Sequence, residues 1–377
     1  MKRFIGLMSG TSMDGVDAAL IETDGRSLRV VLGANGHPEI AGSTAEIGYA
    51  PDETALLRRA KEDARVGIAA RADRPGCLPE AEALVTRRHA EAVEALLSEL
   101  RLRPDEIEAI GFHGQTVLHR PEDRLTVQIG DGQALAVRLR IPVVHDLRAD
   151  DVAAGGQGAP LVPVFHRALA EACGYEPPLA VLNIGGVANL TLIGSGDALV
   201  GFDTGPGNAL LDDLMVERLG EPRDEDGRAA AAGTADGALV AWMLSHPFFA
   251  RPPPKSLDRD AFSHRMVAIL STADAAATLA AFTVGAVARA LDWTADPPRR
   301  WIVGGGGARN PELMRGLRRS LAAEIVSADS VGWSTSFLEA QAFAYLAARR
   351  LARLPITFPS TTGVSEPMTG GRVATPR

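Results

Sequence analysis

The chain has 377 residues, 46% of them hydrophobic, which is enough for two ordinary domains with sizeable cores. Its net charge of −8 argues against nucleic acid and anionic membrane as default partners. Cys77 and Cys173 are too few and too far apart for a disulfide framework or a zinc site, and no apolar stretch reaches the roughly 18 residues of a membrane span, so we expect a cytoplasmic protein.

In chain order, RFIGLMSG reads as a strand ending in a Gly/Ser turn. VDAALIETDG returns as a second strand and SLRVVLGANG as a third, so a β-meander opens the fold. ETALLRRAKEDARVGIAARAD and PEAEALVTRRHAEAVEALLSELR have helical periodicity. IEAIGFHGQ is a short strand ending at His113, RLTVQIGDG another strand, and GQALAVRLR a helix. IPVVHDLRADD is a strand running into a loop that carries the paired carboxylates Asp150 and Asp151. APLVPVFHRALAEA follows as a helix with Pro160 near its first turn.

The pattern then restarts. LAVLNIGGVANLTLIGSGDALVGFDTG is three strands divided by glycine turns, and GPGNALLDDLMVERLG is a helix. Residues 221–260 read as a surface excursion with local turns that includes the rigid run RPPPK. DAAATLAAFTVGAVARALDW is a long apolar helix, RRWIVGGGG a strand, NPELMRGLRRSLA a helix, AEIVSADSV a strand, and FLEAQAFAYLAARRLARL the last helix. The tail from Phe358 is turn-rich, with poor order expected. GLMSGTSMDGVDAALI and LNIGGVANLTLI echo each other as strand, glycine turn, strand. The echo predicts a duplicated α/β protein with a cleft between its lobes. We divide it as residues 1–170, with 354–377 joining them, and residues 171–353.

Both hairpin tips are candidate phosphate nests, because glycines let backbone N–H groups converge on an anion. An ordinary hairpin turn fits each tip as well. Phe202-Asp203-Thr204-Gly205-Pro206-Gly207-Asn208 joins a strand to a helix, and Asp203 there suits either a metal–phosphate complex or a helix cap. Four glycines from Gly304 to Gly307 leave room for something flat such as a nucleoside. Asn310 is a good N-cap and Pro311 a good first helical residue. A Walker A loop is excluded because no Gly-Lys pair exists, and G-x-S-x-G and H-E-x-x-H are missing too. A Rossmann fingerprint fails for want of its third glycine.

GLMSGTSMDGVDAAL, GFHGQT, DVAAGGQGAPLVP, LNIGGVANLT, FDTGPGN, FFARPPPKS, GGGGARNP, LEAQAFAYLA and the terminal STTGVSEP stand in the order seen in the anhydro-N-acetylmuramic acid kinase family, which the chain resembles over nearly its whole length. That family belongs to the sugar kinase/Hsp70/actin superfamily, so the resemblance implies duplicated actin-like ATPase lobes of ribonuclease H-like fold. It also implies an enzyme that uses ATP and Mg²⁺ to open the 1,6-anhydro ring with water and phosphorylate O6, in peptidoglycan recycling. A kinase of the same fold acting on another sugar or carboxylate is the alternative.

The resemblance assigns the water-activating base to Asp151. It places the sugar near His113, Gln115, Asp146, Arg148, Gln157 and Glu339, with Arg148 toward the lactyl carboxylate and Glu339 contributed by the second lobe. ATP falls to Gly10, Thr11, Ser12, Met13, Asp14, Gly15, Val16 and Asp17 in the first half. In the second it falls to Asn183, Gly185, Gly186, Asp203, Gly205, Gly207, Asn208, Gly305, Gly306 and Asn310, and Asp203 or Asp14 is the candidate toward magnesium. A homodimer is compatible with the resemblance. The chain departs from the family at Leu147, where an aromatic is usual, at Asp150 for a basic residue, at Phe112 for serine, and at LDRD after RPPPKS for TGRE.

Overall fold

The structure, a computed structural model, describes residues 1–10, 12–34 and 36–376; Thr11, one of the expected ATP residues, lies outside them. The strands and helices follow in chain order. The first stretch holds β1 (Lys2–Met8), β2 (Gly15–Thr23), β3 (Val30–Leu32), β4 (Pro38–Ile40), β5 (Gly42–Gly48), α1 (Pro51–Gly67) and α2 (Leu78–Leu100). Next come β6 (Ala109–Phe112), β7 (Gln115–Arg120), β8 (Leu125–Ile129), α3 (Gly132–Leu139), β9 (Val143–His145), α4 (Ala149–Ala153) and α5 (Pro163–Ala172). The pattern restarts with β10 (Leu179–Ile184), β11 (Val187–Ile193), β12 (Leu199–Pro206), α6 (Ala209–Leu219), α7 (Arg228–Ala232), α8 (Gly237–Leu244) and α9 (Pro247–Ala250). It continues through α10 (Thr272–Ala288), β13 (Arg300–Gly304), α11 (Pro311–Ser320), β14 (Glu324–Ser327), α12 (Leu338–Leu351), α13 (Pro359–Thr362) and β15 (Arg372–Ala374).

The chain divides into two compact units, Met1–Gly174 with Phe337–Arg377, and Tyr175–Ser336. The sheet of the first unit runs β15-β9-β6-β1-β2-β5, and that of the second β12-β11-β10-β13-β14. In each unit the first three strands are antiparallel neighbours and the next two pair in parallel on the other side of the first strand. The echo in the sequence is thus a repeated topology.

In the first unit, Val16, Ala18 and Leu20 point from β2 into a core shared with α1, α2 and α3. The period of two along a strand sends Asp17, Ala19 and Ile21 to the other face. There α12 packs against β1, β2 and β6. It comes so close that a methyl group on Gly6 would overlap the Ala340 carbonyl oxygen, and one on Gly111 that of Phe343. This packing corrects the domain boundary expected at residue 353. The chain returns to the first unit at Phe337, because α12 is the helix that covers this face.

Four further expectations change. The third strand of the opening meander is β5, whereas β3 pairs only with β4 in a short side hairpin. Asp150 and Asp151 sit in the short helix α4, not in a loop. The first-turn proline of α5 is Pro163, with Pro160 ahead of the helix. The tail is folded: Thr357 and Met368 exchange backbone hydrogen bonds of 3.2 and 3.0 Å, and β15 pairs with β9.

The second unit centres on α10, which packs against α6, α7, α8, α11 and β12. The stretch Thr272–Trp293 is long and apolar enough to cross a membrane by length and composition, contrary to the sequence reading, yet most of it is buried in this core. The excursion at 221–260 is also more structured than its composition suggested. It contains three helices, and Phe248, Phe249 and Lys255 are buried.

Candidate active site

In the first unit, the β1–β2 turn starts at buried Ser9, whose hydroxyl donates to Gln115 Oε1 at 2.6 Å; Gln115 Nε2 donates to the Gly10 carbonyl at 3.2 Å. Gln115 therefore fastens the turn with both ends of its amide. Met13 closes the turn in the left-handed region (φ 55°), and its carbonyl accepts from Thr54 Oγ1. Ser12 donates to Asp14 Oδ1 at 2.7 Å. Asp17 lies on β2 directly across from Glu46 on β5, and burial, then Glu46, Asp14 and Glu339, pushes its carboxyl up to about 7.

Asp151 is almost fully buried. Its Oδ1 accepts the Gly158 N–H and its Oδ2 the Thr362 hydroxyl, both at 2.6 Å. A side chain on Gly156 would overlap Asp151 Oδ1, so that glycine makes room for the carboxylate. Beside it, Arg148 NH1 donates to the Gly158 carbonyl at 2.7 Å and Arg148 Nε to His113 Nε2 at 3.0 Å. An accepting Nε2 requires a neutral imidazole. Burial, with the Arg148 charge second, holds His113 well below its ordinary range and brings His119 down to about 4. Burial raises the carboxyl of Glu339, in the first turn of α12, and Arg148 opposes the rise. Gln157 joins this group through its backbone N–H, which donates to the Thr362 carbonyl at 2.6 Å.

Asp151, Gln157, Arg148, His113 and Glu339 are thus neighbours, and Glu339 belongs to the first unit, not to the second lobe as expected. Asp146 stands apart. Its two oxygens are held by Arg71 and by Arg372 Nε (3.2 Å), which fixes the left-handed backbone (φ 58°) at the end of β9. Asp150 is more open, with Arg372 3.9 Å away.

In the second unit, the β10–β11 tip is tied to the start of α6. Asn208 N–H donates to the Gly185 carbonyl at 2.7 Å, Gly207 N–H to Gly186 at 2.9 Å, and Asn208 Nδ2 to Ile184 at 3.0 Å. The expected ATP glycines sort into two kinds. A methyl on Gly207 would overlap the Gly185 carbonyl oxygen, one on Gly305 the Asn183 side chain, and one on Gly205 would crowd Ala286. Those glycines serve the protein's own packing. Methyls on Gly185 and Gly10 would meet nothing nearer than 3.6 and 3.5 Å, ordinary contact distances, so packing does not demand glycine at these two tips. Gly306 is intermediate, 3.3 Å from Asn208 Nδ2. Asn310 caps α11 by accepting from the N–H groups of Glu312 and Leu313.

Asp203 is buried on β12, where its backbone N–H donates to the Lys255 carbonyl and its Oδ2 accepts from Leu257 N–H. Lys255 Nζ donates in turn to the carbonyls of Phe248 (3.1 Å) and Arg251 (3.0 Å), beside the Phe248 ring. Burial lowers its ammonium to about 8. The sequence reading passed over Lys255 and Thr362. Each lies in a motif it did note, RPPPKS and STTGVSEP, and a lysine inside a proline run was the available signal.

Among the described residues no group of three or more His, Cys, Asp or Glu could hold a metal ion.

Two sheets of one topology, each opening on a glycine-tipped hairpin, give the chain a duplicated, actin-like fold of the ribonuclease H-like kind. The comparisons narrow this. The sequence model described as anhydro-N-acetylmuramic acid kinase matches residues 2–376. Relatives bearing that name come from Methylobacterium nodulans, 64% identical over 99% of this chain and 100% of the relative, and Methylorubrum populi, 61% identical over 100% of both. A third, from Rhodopseudomonas palustris, is 55% identical over 100% of both chains. The chain belongs to the anhydro-N-acetylmuramic acid kinase family.

Proposed function

We propose that this enzyme uses ATP to convert 1,6-anhydro-N-acetylmuramic acid into N-acetylmuramic acid 6-phosphate, with Asp151 as the base that activates water. The observation that carries the catalytic assignment is the placement of Asp151. It is a buried carboxylate held by one donor on each oxygen, and Gly158, whose N–H is one of those donors, also accepts from Arg148 through its carbonyl. Two donors occupy two of the roughly four acceptor positions of a carboxylate, leaving capacity for a water proton. Loss of that proton lets water attack the anomeric carbon as the C1–O6 bond breaks. The released O6 then attacks the γ-phosphorus, a step that asks mainly for positioning and charge neutralisation.

Arg148, oriented by neutral His113 and the Gly158 carbonyl, faces the lactyl carboxylate, and Glu339 accepts from a sugar hydroxyl. Gly10 and Gly185 give backbone access to the phosphates. Magnesium, when bound, neutralises phosphate charge, with Asp14 or Asp203 as the side chain toward it. The cell compartment that fits a sugar recovered from the wall and an ATP supply is the cytoplasm.

The test is a coupled ADP assay with anhydro-N-acetylmuramic acid, N-acetylmuramic acid, N-acetylglucosamine and glucose, with the product identified by mass. The proposal expects the anhydro sugar to support by far the fastest turnover. A higher kcat/KM for another sugar would favour the alternative, a kinase of different substrate in the same fold.

A further inference from the structure

The folded C-terminal segment reaches the proposed base. Thr362 is fully buried, and its hydroxyl donates to Asp151 Oδ2 at 2.6 Å, across more than two hundred residues of sequence. Its carbonyl accepts the Gln157 N–H at 2.6 Å, so the same residue also grips the glycine turn that presents the Gly158 N–H to Oδ1. The preceding residue behaves differently. Among the described residues, Thr361 Oγ1 bonds within its own turn, accepting from Phe358 N–H at 3.1 Å and donating to the Phe358 carbonyl at 3.2 Å. Gly363, in the left-handed region (φ 83°), ends the short helix α13 and reverses the chain. The two adjacent threonines therefore divide the work, one shaping the turn and the other holding the carboxylate.

We infer that Thr362 is a positioning residue for the reaction: it fixes the orientation of the Asp151 carboxylate, so the tail contributes to chemistry as well as to the fold. The inference rests on the reading of Asp151 as the base. With both oxygens anchored, the carboxylate plane is set, and so is the direction of the lone pairs that remain for water. Without the hydroxyl, Oδ2 would be a buried charged oxygen lacking its side-chain donor and free to turn about the Cβ–Cγ bond. A hydroxyl can also accept, so Thr362 can keep contact with Asp151 after the carboxyl takes up a proton.

The experiment compares the full-length wild type with Thr362→Val, which keeps the shape and removes the hydroxyl, Thr362→Ser, Thr361→Val and Asp151→Asn. Steady-state kcat and KM for the anhydro sugar are measured, with circular dichroism as the check on folding. The inference expects kcat of Thr362→Val to fall about 10- to 100-fold with KM for the sugar little changed, since a hydrogen bond to a charged group is at stake. Thr362→Ser should recover most of the lost kcat, and Thr361→Val should stay near wild type. Equal losses in Thr361→Val and Thr362→Val, or no recovery in Thr362→Ser, would overturn it and reduce the tail to a structural part. Substantial turnover in Asp151→Asn would instead overturn the base assignment itself. An inactive Asp151→Asn beside a fully active Thr362→Val would overturn this inference alone.

Discussion

Asp17→Asn removes a carboxyl that the fold holds in an unfavourable place. Asp17 lies on the α12 side of β2, opposite Glu46, with Asp14 and Glu339 adding to the field. Like charges directly across a strand pair destabilise it, and burial adds to the cost. The folded-state pKa of about 7, against 3.8 for the free group, makes the carboxyl a stability sensor. Below about pH 4 both folded and unfolded states hold the proton. Between about 4 and 7 only the folded state keeps it, so stability falls as pH rises; above about 7 the loss is complete. Three pKa units correspond to about 4 kcal/mol at full effect, and partial exposure reduces this to on the order of 3 kcal/mol. Asparagine has nearly the same shape and never ionises. Urea unfolding of wild type and Asp17→Asn should therefore give equal stabilities near pH ~4. The variant should be ahead by a few kcal/mol for the first unit's transition near pH ~8. A difference that is the same at both pH values, or a variant less stable at the higher pH, would refute the argument.

The two kinds of glycine predict opposite phenotypes. Gly207→Ala drives a methyl into the Gly185 carbonyl and should cost about 2 kcal/mol or more in thermal unfolding, whereas Gly185→Ala should be within ~0.5 kcal/mol of wild type yet raise KM for ATP. A stable Gly207→Ala, or an unchanged ATP KM in Gly185→Ala, would contradict the sorting. Lys255→Met removes the ammonium donor to the Phe248 and Arg251 carbonyls, the first of which keeps the Arg251 N–H, and should lower stability at pH ~7 by about 1–3 kcal/mol. From pH about 8 toward 10.5 only the unfolded wild type keeps the lysine proton, so wild type should gain on Lys255→Met as pH rises through that window. Urea titrations at both ends of the window read this directly.

The duplication was legible because each half starts with a strand, a glycine tip and a returning strand, a local signal. The assignment of α12 to the first unit was not legible. Nothing within LEAQAFAYLA says which sheet it covers; the signal is split between Ala340 and Phe343 on the helix and Gly6 and Gly111 on distant strands. Asp151 was singled out by its motif, but its partner Thr362 lies in a tail whose threonines, glycines and prolines look like loop. Composition describes a segment's own conformation and is silent about a hydroxyl that serves a residue far along the chain. Likewise the glycines of FDTGPGN and GGGG read alike as ligand room. Only the backbone separates them from Gly185 in LNIGGVANLT: an added methyl there would make ordinary contacts, whereas at Gly207 and Gly305 it would overlap the chain's own atoms.

The central claim is that water opens the anhydro ring at C1 and the bridge oxygen itself becomes the phosphate ester oxygen. Turnover of anhydro-N-acetylmuramic acid carrying oxygen-18 in the 1,6-bridge tests it most directly, read by the isotope shift in the phosphorus NMR signal of the product. The account predicts that every product phosphorus is bonded to oxygen-18. Phosphorus bonded only to unlabelled oxygen, with the label at C1, would mean that the bridge breaks at C6 and would contradict the account.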